Sequence, residues 1–99
     1  MKPIRDRRKK IDGIDEKLVE LLNLRAQLAI EIGEFKRRNR LNAVSPERER
    51  EILSRACETS AGPLDPKAVT RLFRAILSES RKAAARATAP SAAAVKSYR

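Results

Sequence analysis

A chain of 99 residues makes one domain, and at that length only about 60 to 65% of the surface of the unfolded form is buried, so a partner chain would add stability. Apolar residues are 41% of the chain, aromatics number only two Phe and one Tyr, and histidine is absent, which excludes Ser-His and Cys-His nucleophiles and removes the commonest metal ligand. A formal charge of +10 points to an anionic partner, whether nucleic acid, an acidic membrane surface or a small polyanion.

Cys57 is the only cysteine, so an intrachain disulfide and a cysteine metal cluster are both excluded. It reads as a small core residue rather than a reactive thiol. No stretch approaches 18 uninterrupted apolar residues, and MKPIRDRRKK has no apolar run after its charges. The expectation is a soluble, cytoplasmic protein with no membrane association.

From Ile4 to Lys36 no proline intervenes and glycine appears only at Gly13 and Gly33, while Ile11, Ile14, Leu18, Leu21, Leu28, Ile32 and Phe35 recur at helical spacing. One long helix is expected, spanning roughly 50 Å at about 1.5 Å per residue. That exceeds the core of so small a domain, so its far end should pack on another chain. Arg37 to Val44, RRNRLNAV, is polar and reads as a loop.

Ser45 then caps a short second helix with Pro46 at its first position, where the missing N–H costs nothing. Ile52, Leu53 and Ala56 should face inward, and the helix stops before Gly62-Pro63. Asp65-Pro66 repeats the cap-plus-proline signal and opens a medium helix with Val69, Leu72, Phe73, Ile76 and Leu77 inward, running to about Ala85. Beyond Arg86 the composition turns to ATAPSAAAVKSYR, too poor in bulky apolar residues to hold a packed element. The division is thus a helical domain over 1–86 and a disordered tail or linker stub over 87–99, and the fold class is all-α.

Charges that interrupt the apolar faces carry the functional signal, because ionic groups taken inside cost several kcal/mol each unless paired. Arg25 follows Leu21 by four and precedes Leu28 by three. Arg8 precedes Ile11 by three, and Lys36 follows Ile32 by four. On the second helix Arg48 and Glu49 precede Ile52 by four and three, and on the third Ser80 follows Ile76 by four; all three should face inward.

Each has an ordinary reading when taken singly. Arg25 can snorkel or pair with Glu49, Arg8 and Lys36 can be solvated, PEREREI can be a solvated face of local ion pairs, and Ser80 can be an ordinary serine. Taken together they would enclose a polar cavity suited to a dianion bearing a hydroxyl. Arg8 and Arg25 lie about 25 Å apart along the helix, so both can serve one pocket only if Arg8 comes from a partner subunit in an antiparallel dimer.

RKKIDGIDEKLVELLNLRAQLAIEIGEFK, SPEREREIL and LDPKAVTRLFRAILSESR resemble the all-helical class of chorismate mutases over about Arg5 to Ala84. The resemblance fits either a stand-alone domain or a domain of a bifunctional aromatic-pathway enzyme. It implies an intertwined homodimer, no cofactor or metal, and rearrangement of chorismate to prephenate in phenylalanine and tyrosine biosynthesis. It further implies that Arg25 and the partner subunit's Arg8 bind carboxylates, and that Lys36 reaches a carboxylate and the ether oxygen. Arg48 corresponds to an arginine at the pocket wall, Glu49 to the acceptor of the ring hydroxyl, and Ser80 to a serine near a carboxylate.

Two positions depart from the pattern. Ser45 stands where the family often has aspartate, a contact made largely through backbone. Ala84 stands where the family usually carries glutamine or glutamate near the ether oxygen, and an alanine side chain donates no hydrogen bond. By analogy with oxyanion donors, the missing bond costs about 100- to 1000-fold in rate, so a weakened enzyme is expected. The rivals are isochorismate-pyruvate lyase on the same scaffold and a binding or regulatory homologue with little turnover. Nucleic-acid binding through RDRRKK and KRRNR ranks last, since no recognition motif or aromatic platform accompanies those runs.

Overall fold

The computed structural model describes residues 2–88. It contains three helices: α1 (Lys2–Arg38), α2 (Pro46–Thr59) and α3 (Pro66–Thr88). The all-α expectation and the order long, short, medium are borne out. α3 runs three residues past the expected end, and the tail assigned to 87–99 lies, beyond Thr88, outside the described residues.

Local chemistry sets each boundary. At the end of α1 the Leu41 N–H bonds to the Lys36 carbonyl (2.8 Å) and the Arg40 N–H to the Arg37 carbonyl (3.2 Å), with Arg40 in the left-handed region at φ 56°. This is a Schellman closure, with arginine where glycine is usual. Ser45, extended at φ −120°, accepts the Arg48 N–H on its Oγ at 3.3 Å, and Pro46 follows it as expected. Glu47 and Glu49 in the first turn complement the positive end of α2. The turn after α2 uses Gly62 at φ 91°, a conformation open to glycine, and Asp65 Oδ1 then accepts the Ala68 N–H at 2.8 Å to begin α3.

α1 and α2 each pack on α3 and make no packing contact with each other. The molecule measures 54 × 36 × 15 Å, and its smallest dimension barely exceeds a helix diameter of about 10–12 Å. A slab this thin lacks the second layer that encloses a core. Val69 and Leu77 are the buried apolar residues, with Phe73, Ile76, Ile52, Leu53 and Ala56 half-buried around them. Leu72 departs from the expected inward face. It is 52% exposed, because α1 and α2 cover one side of α3 and Leu72 lies on the flank that neither reaches.

α1 meets α3 along a face made mostly of small residues. Ala26, Ala29, Ile30 and Gly33 are half-buried, and a Cβ added at Gly33 would meet the Ala84 Cβ at 3.4 Å, so the two backbones approach closely. The large apolar stripe of α1 is turned away from this seam. Ile14, Leu18 and Leu21 are 57, 49 and 61% exposed, and Ile11, Leu28, Ile32 and Phe35 are exposed as well. Seam and stripe are offset by one residue, about 100° around the helix. The stripe expected from the sequence exists, but its own chain leaves it uncovered.

Candidate active site

The site grows from Ser80, the one buried polar residue among those described, at 8% exposure on the face of α3 that meets α1. Arg25 Nη1 donates a hydrogen bond to its Oγ at 2.8 Å. Arg25 therefore belongs to the seam with Ala26 and Ala29 rather than interrupting the exposed stripe. It does not pair with Glu49, which corrects one of its two ordinary readings. One bond to a buried hydroxyl orients the guanidinium and leaves most of its five donors for an anion.

Ala84 follows Ser80 by one helical turn, and the Gly33–Ala84 approach puts the two helices side by side there. Lys36 lies three residues beyond Gly33, half-buried in the last turn of α1, and its ammonium makes no ion pair among the described residues. Arg25 and Lys36 are separated by about 16 Å of helix rise, a gap that two long cationic side chains narrow from its ends.

Glu49 approaches from α2. It is half-buried, and its Oε2 accepts a hydrogen bond from Arg81 Nη1 of α3 in an inter-helix ion pair. Arg81 was not singled out in the sequence, where it is one of 23 Lys and Arg residues and carries no local mark. The sequence signal it offers is its place beside Ser80; its position opposite Glu49 is set by how α2 rests on α3.

Arg48 does not share the inward face assigned to it. It is exposed and paired with Glu51 on the outer side of α2, because three residues along a helix bring those two side chains together more readily than α3 does. Ser45 has its hydroxyl occupied by the α2 cap, and its carbonyl accepts the Glu49 N–H at 3.0 Å one turn further on. Arg8 is exposed in an open groove lined by Ile4, Arg5, Arg8, Lys9 and Asp12 on α1 alone, far along the helix from Arg25. One chain thus brings together Arg25, Ser80 and Ala84, sets Lys36 and Glu49 at the margins, and leaves Arg8 apart.

Among the described residues no three His, Cys, Asp or Glu side chains group as metal ligands, and no helix is long and apolar enough to cross a membrane. The arrangement offers fixed positive charge, a hydroxyl and one carboxylate.

A family model described as chorismate mutase type II matches residues 7–85, which include all three helices' packed portions and every candidate residue from Arg8 to Ala84. The chain belongs to the chorismate mutase type II family.

Among relatives of that family, the bifunctional chorismate mutase/prephenate dehydratase of Aquifex aeolicus is 40% identical over 82 residues, covering 79% of this chain and 23% of the relative. The enzyme of the same description from Neisseria gonorrhoeae is 44% identical over 72 residues, covering 73% of this chain and 19% of the relative. This chain therefore spans about a fifth of the length of these curated relatives. A solved chorismate mutase, form II, from Thermus thermophilus superposes with a TM-score of 0.78 at 29% identity, covering 80% of this chain and 90% of that one. The three-helix arrangement is thus that of a known chorismate mutase nearly over its whole length.

Proposed function

We propose that this chain is a chorismate mutase acting as a homodimer on a dianionic substrate. The observation that carries the reading is Arg25, oriented by the buried Ser80 on the α1–α3 seam, inside a chain of the chorismate mutase type II family. The rearrangement is pericyclic and needs neither proton transfer nor a covalent intermediate. The protein holds the substrate in its reactive folded shape and stabilises the charge that separates as the ether bond breaks.

In this reading Arg25 binds one carboxylate and the partner subunit's Arg8 the other. Lys36 faces the ether oxygen, where a partly desolvated ammonium stabilises developing negative charge better than water does. Glu49 accepts the ring hydroxyl, Ser45 and Arg48 flank it at the start of α2, and Ser80 supports Arg25. No cofactor is called for. The exposed stripe of α1 supports dimerisation, since a contiguous apolar face on a slab one helix thick is stabilised by covering it with a second copy. A reduced Cys57 is compatible with action in the cytoplasm.

Ala84 favours a second reading, a relative that binds chorismate with little turnover, because the side chain next to the seam supplies no donor. The deciding experiment is incubation of the purified protein with chorismate and, separately, isochorismate, following prephenate and pyruvate. Prephenate from chorismate sustains the mutase reading; pyruvate from isochorismate alone replaces it with the lyase; tight chorismate binding without product supports the second reading.

A further inference from the structure

Adjacent residues of α3 hold the two polar groups that the other helices bring to the site. Ser80 takes Arg25 of α1, and Arg81 takes Glu49 of α2. Because α2 does not pack on α1, the helix packing that relates Glu49 to Arg25 and Lys36 runs through α3, beside the short chain segment that joins α1 to α2. Among the described residues Arg81–Glu49 is also the only ion pair between two helices; the others are i to i+3 or i+4 pairs within one.

The Arg81 and Glu49 side chains are 44 and 28% exposed. An ion pair this open to water adds little to folding. Its effect is directional. A glutamate has three side-chain torsions, and on the first turn of α2 its carboxylate can turn outward, as Arg48 beside it does. A guanidinium hydrogen bond to Oε2 selects the orientation toward α3 and leaves the second oxygen as an acceptor.

We infer that Arg81 is a positioning residue for the reaction, fixing the Glu49 carboxylate so that its other oxygen receives the substrate hydroxyl. This rests on the chorismate mutase reading above. It also makes Arg81, rather than the outward-facing Arg48, the arginine that supports Glu49.

The test is a double-mutant cycle on the full chain, with Arg81→Ala, Glu49→Ala and the double variant, and with Arg81→Lys as the conservative replacement. Prephenate formation gives kcat and KM for each, and thermal unfolding gives stability. The expected result is a drop in kcat/KM of about tenfold for Arg81→Ala, within the coupling seen for residues in contact, together with unchanged thermal stability. Arg81→Lys should recover part of the loss, and Arg81→Ala should have no further effect once Glu49 is alanine. An equal drop in the Glu49→Ala background, or full activity in Arg81→Ala, overturns the assignment.

If neither the parent nor an Ala84→Gln variant turns over chorismate, the catalytic reading fails and the cycle is read from chorismate binding by calorimetry. Coupling between Arg81 and Glu49 in affinity then sustains the positioning role, and independent effects or absence of chorismate binding remove it.

Discussion

Arg25 and Ser80 meet across the seam of α1 and α3, with the guanidinium Nη1 2.8 Å from a hydroxyl that is nearly closed to solvent. A buried acceptor that fixes a charged donor contributes both to folding and to the aim of the donor. Ser80→Ala should therefore lower stability by about 1 kcal/mol, the net worth of a typical hydrogen bond, and raise the chorismate KM. Urea unfolding and steady-state kinetics check the two parts, and an unchanged KM would remove Ser80 from the site.

Lys36 has no ion-pair partner of its own among the described residues, so its removal should leave the packing intact. Lys36→Ala is expected to cut kcat by about 100-fold or more with helicity and oligomeric state unchanged, the loss found when one aimed charge-stabilising donor is deleted. Arg25→Ala should act similarly. Undiminished turnover in Lys36→Ala, followed by prephenate formation, would exclude it from the mechanism.

Ala84 sits where α1 and α3 approach closely, opposite a glycine that leaves room for it. Replacing it with glutamine restores an amide donor one turn beyond Ser80. Ala84→Gln should raise kcat by about 100-fold, the lower end of the value of one such bond. A rate equal to the parent would mean that Lys36 alone stabilises the ether oxygen as well as the pair does.

The exposed stripe and the isolation of Arg8 are tested together by subunit mixing. Arg8→Ala and Lys36→Ala chains should each be inactive, yet equal amounts exchanged to equilibrium should regain about one quarter of parental activity, because half of the dimers are mixed and one of their two sites is then intact. Leu18→Glu, on the 49%-exposed position of the stripe, should give inactive monomers by sedimentation. Failure to complement would place both residues in a site within one chain.

Arg40 closes α1 in the left-handed region, which costs an L-residue with a Cβ about 1 kcal/mol relative to glycine. Arg40→Gly should accordingly raise the unfolding free energy by about that amount with kinetics unaffected, as measured in urea. A loss of stability would show that the arginine side chain contributes more than its backbone strain removes.

The features legible in the sequence were those decided within a few residues. Ser45-Pro46 and Asp65-Pro66 announce helix starts because capping is a contact over three positions, and Gly62-Pro63 ends α2 for an equally local reason. Periodicity found the α1 stripe, but it reports a direction around the axis and not what lies in that direction. Hence α3 takes the small-residue face one position away, and Leu72, which the same rhythm points inward, lies 52% exposed on a flank that α1 and α2 leave open. Ser80 and Arg25 were visible as polar interruptions of apolar faces. Arg81 was not, because its partner is 32 residues away and chosen by how α2 rests on α3.

The attachment of α2 to α3 alone also orders how the molecule comes apart. A 14-residue helix with one neighbour has little to hold it when that neighbour's grip loosens, so α2 is the cooperative unit expected to open at the lowest free energy. Its amides should exchange with solvent deuterium ahead of those along the α1–α3 seam. Each opening lifts Glu49 away while Arg25 and Ser80 stay engaged, so on warming the catalyst would fall silent, reversibly, before most of its helix is lost.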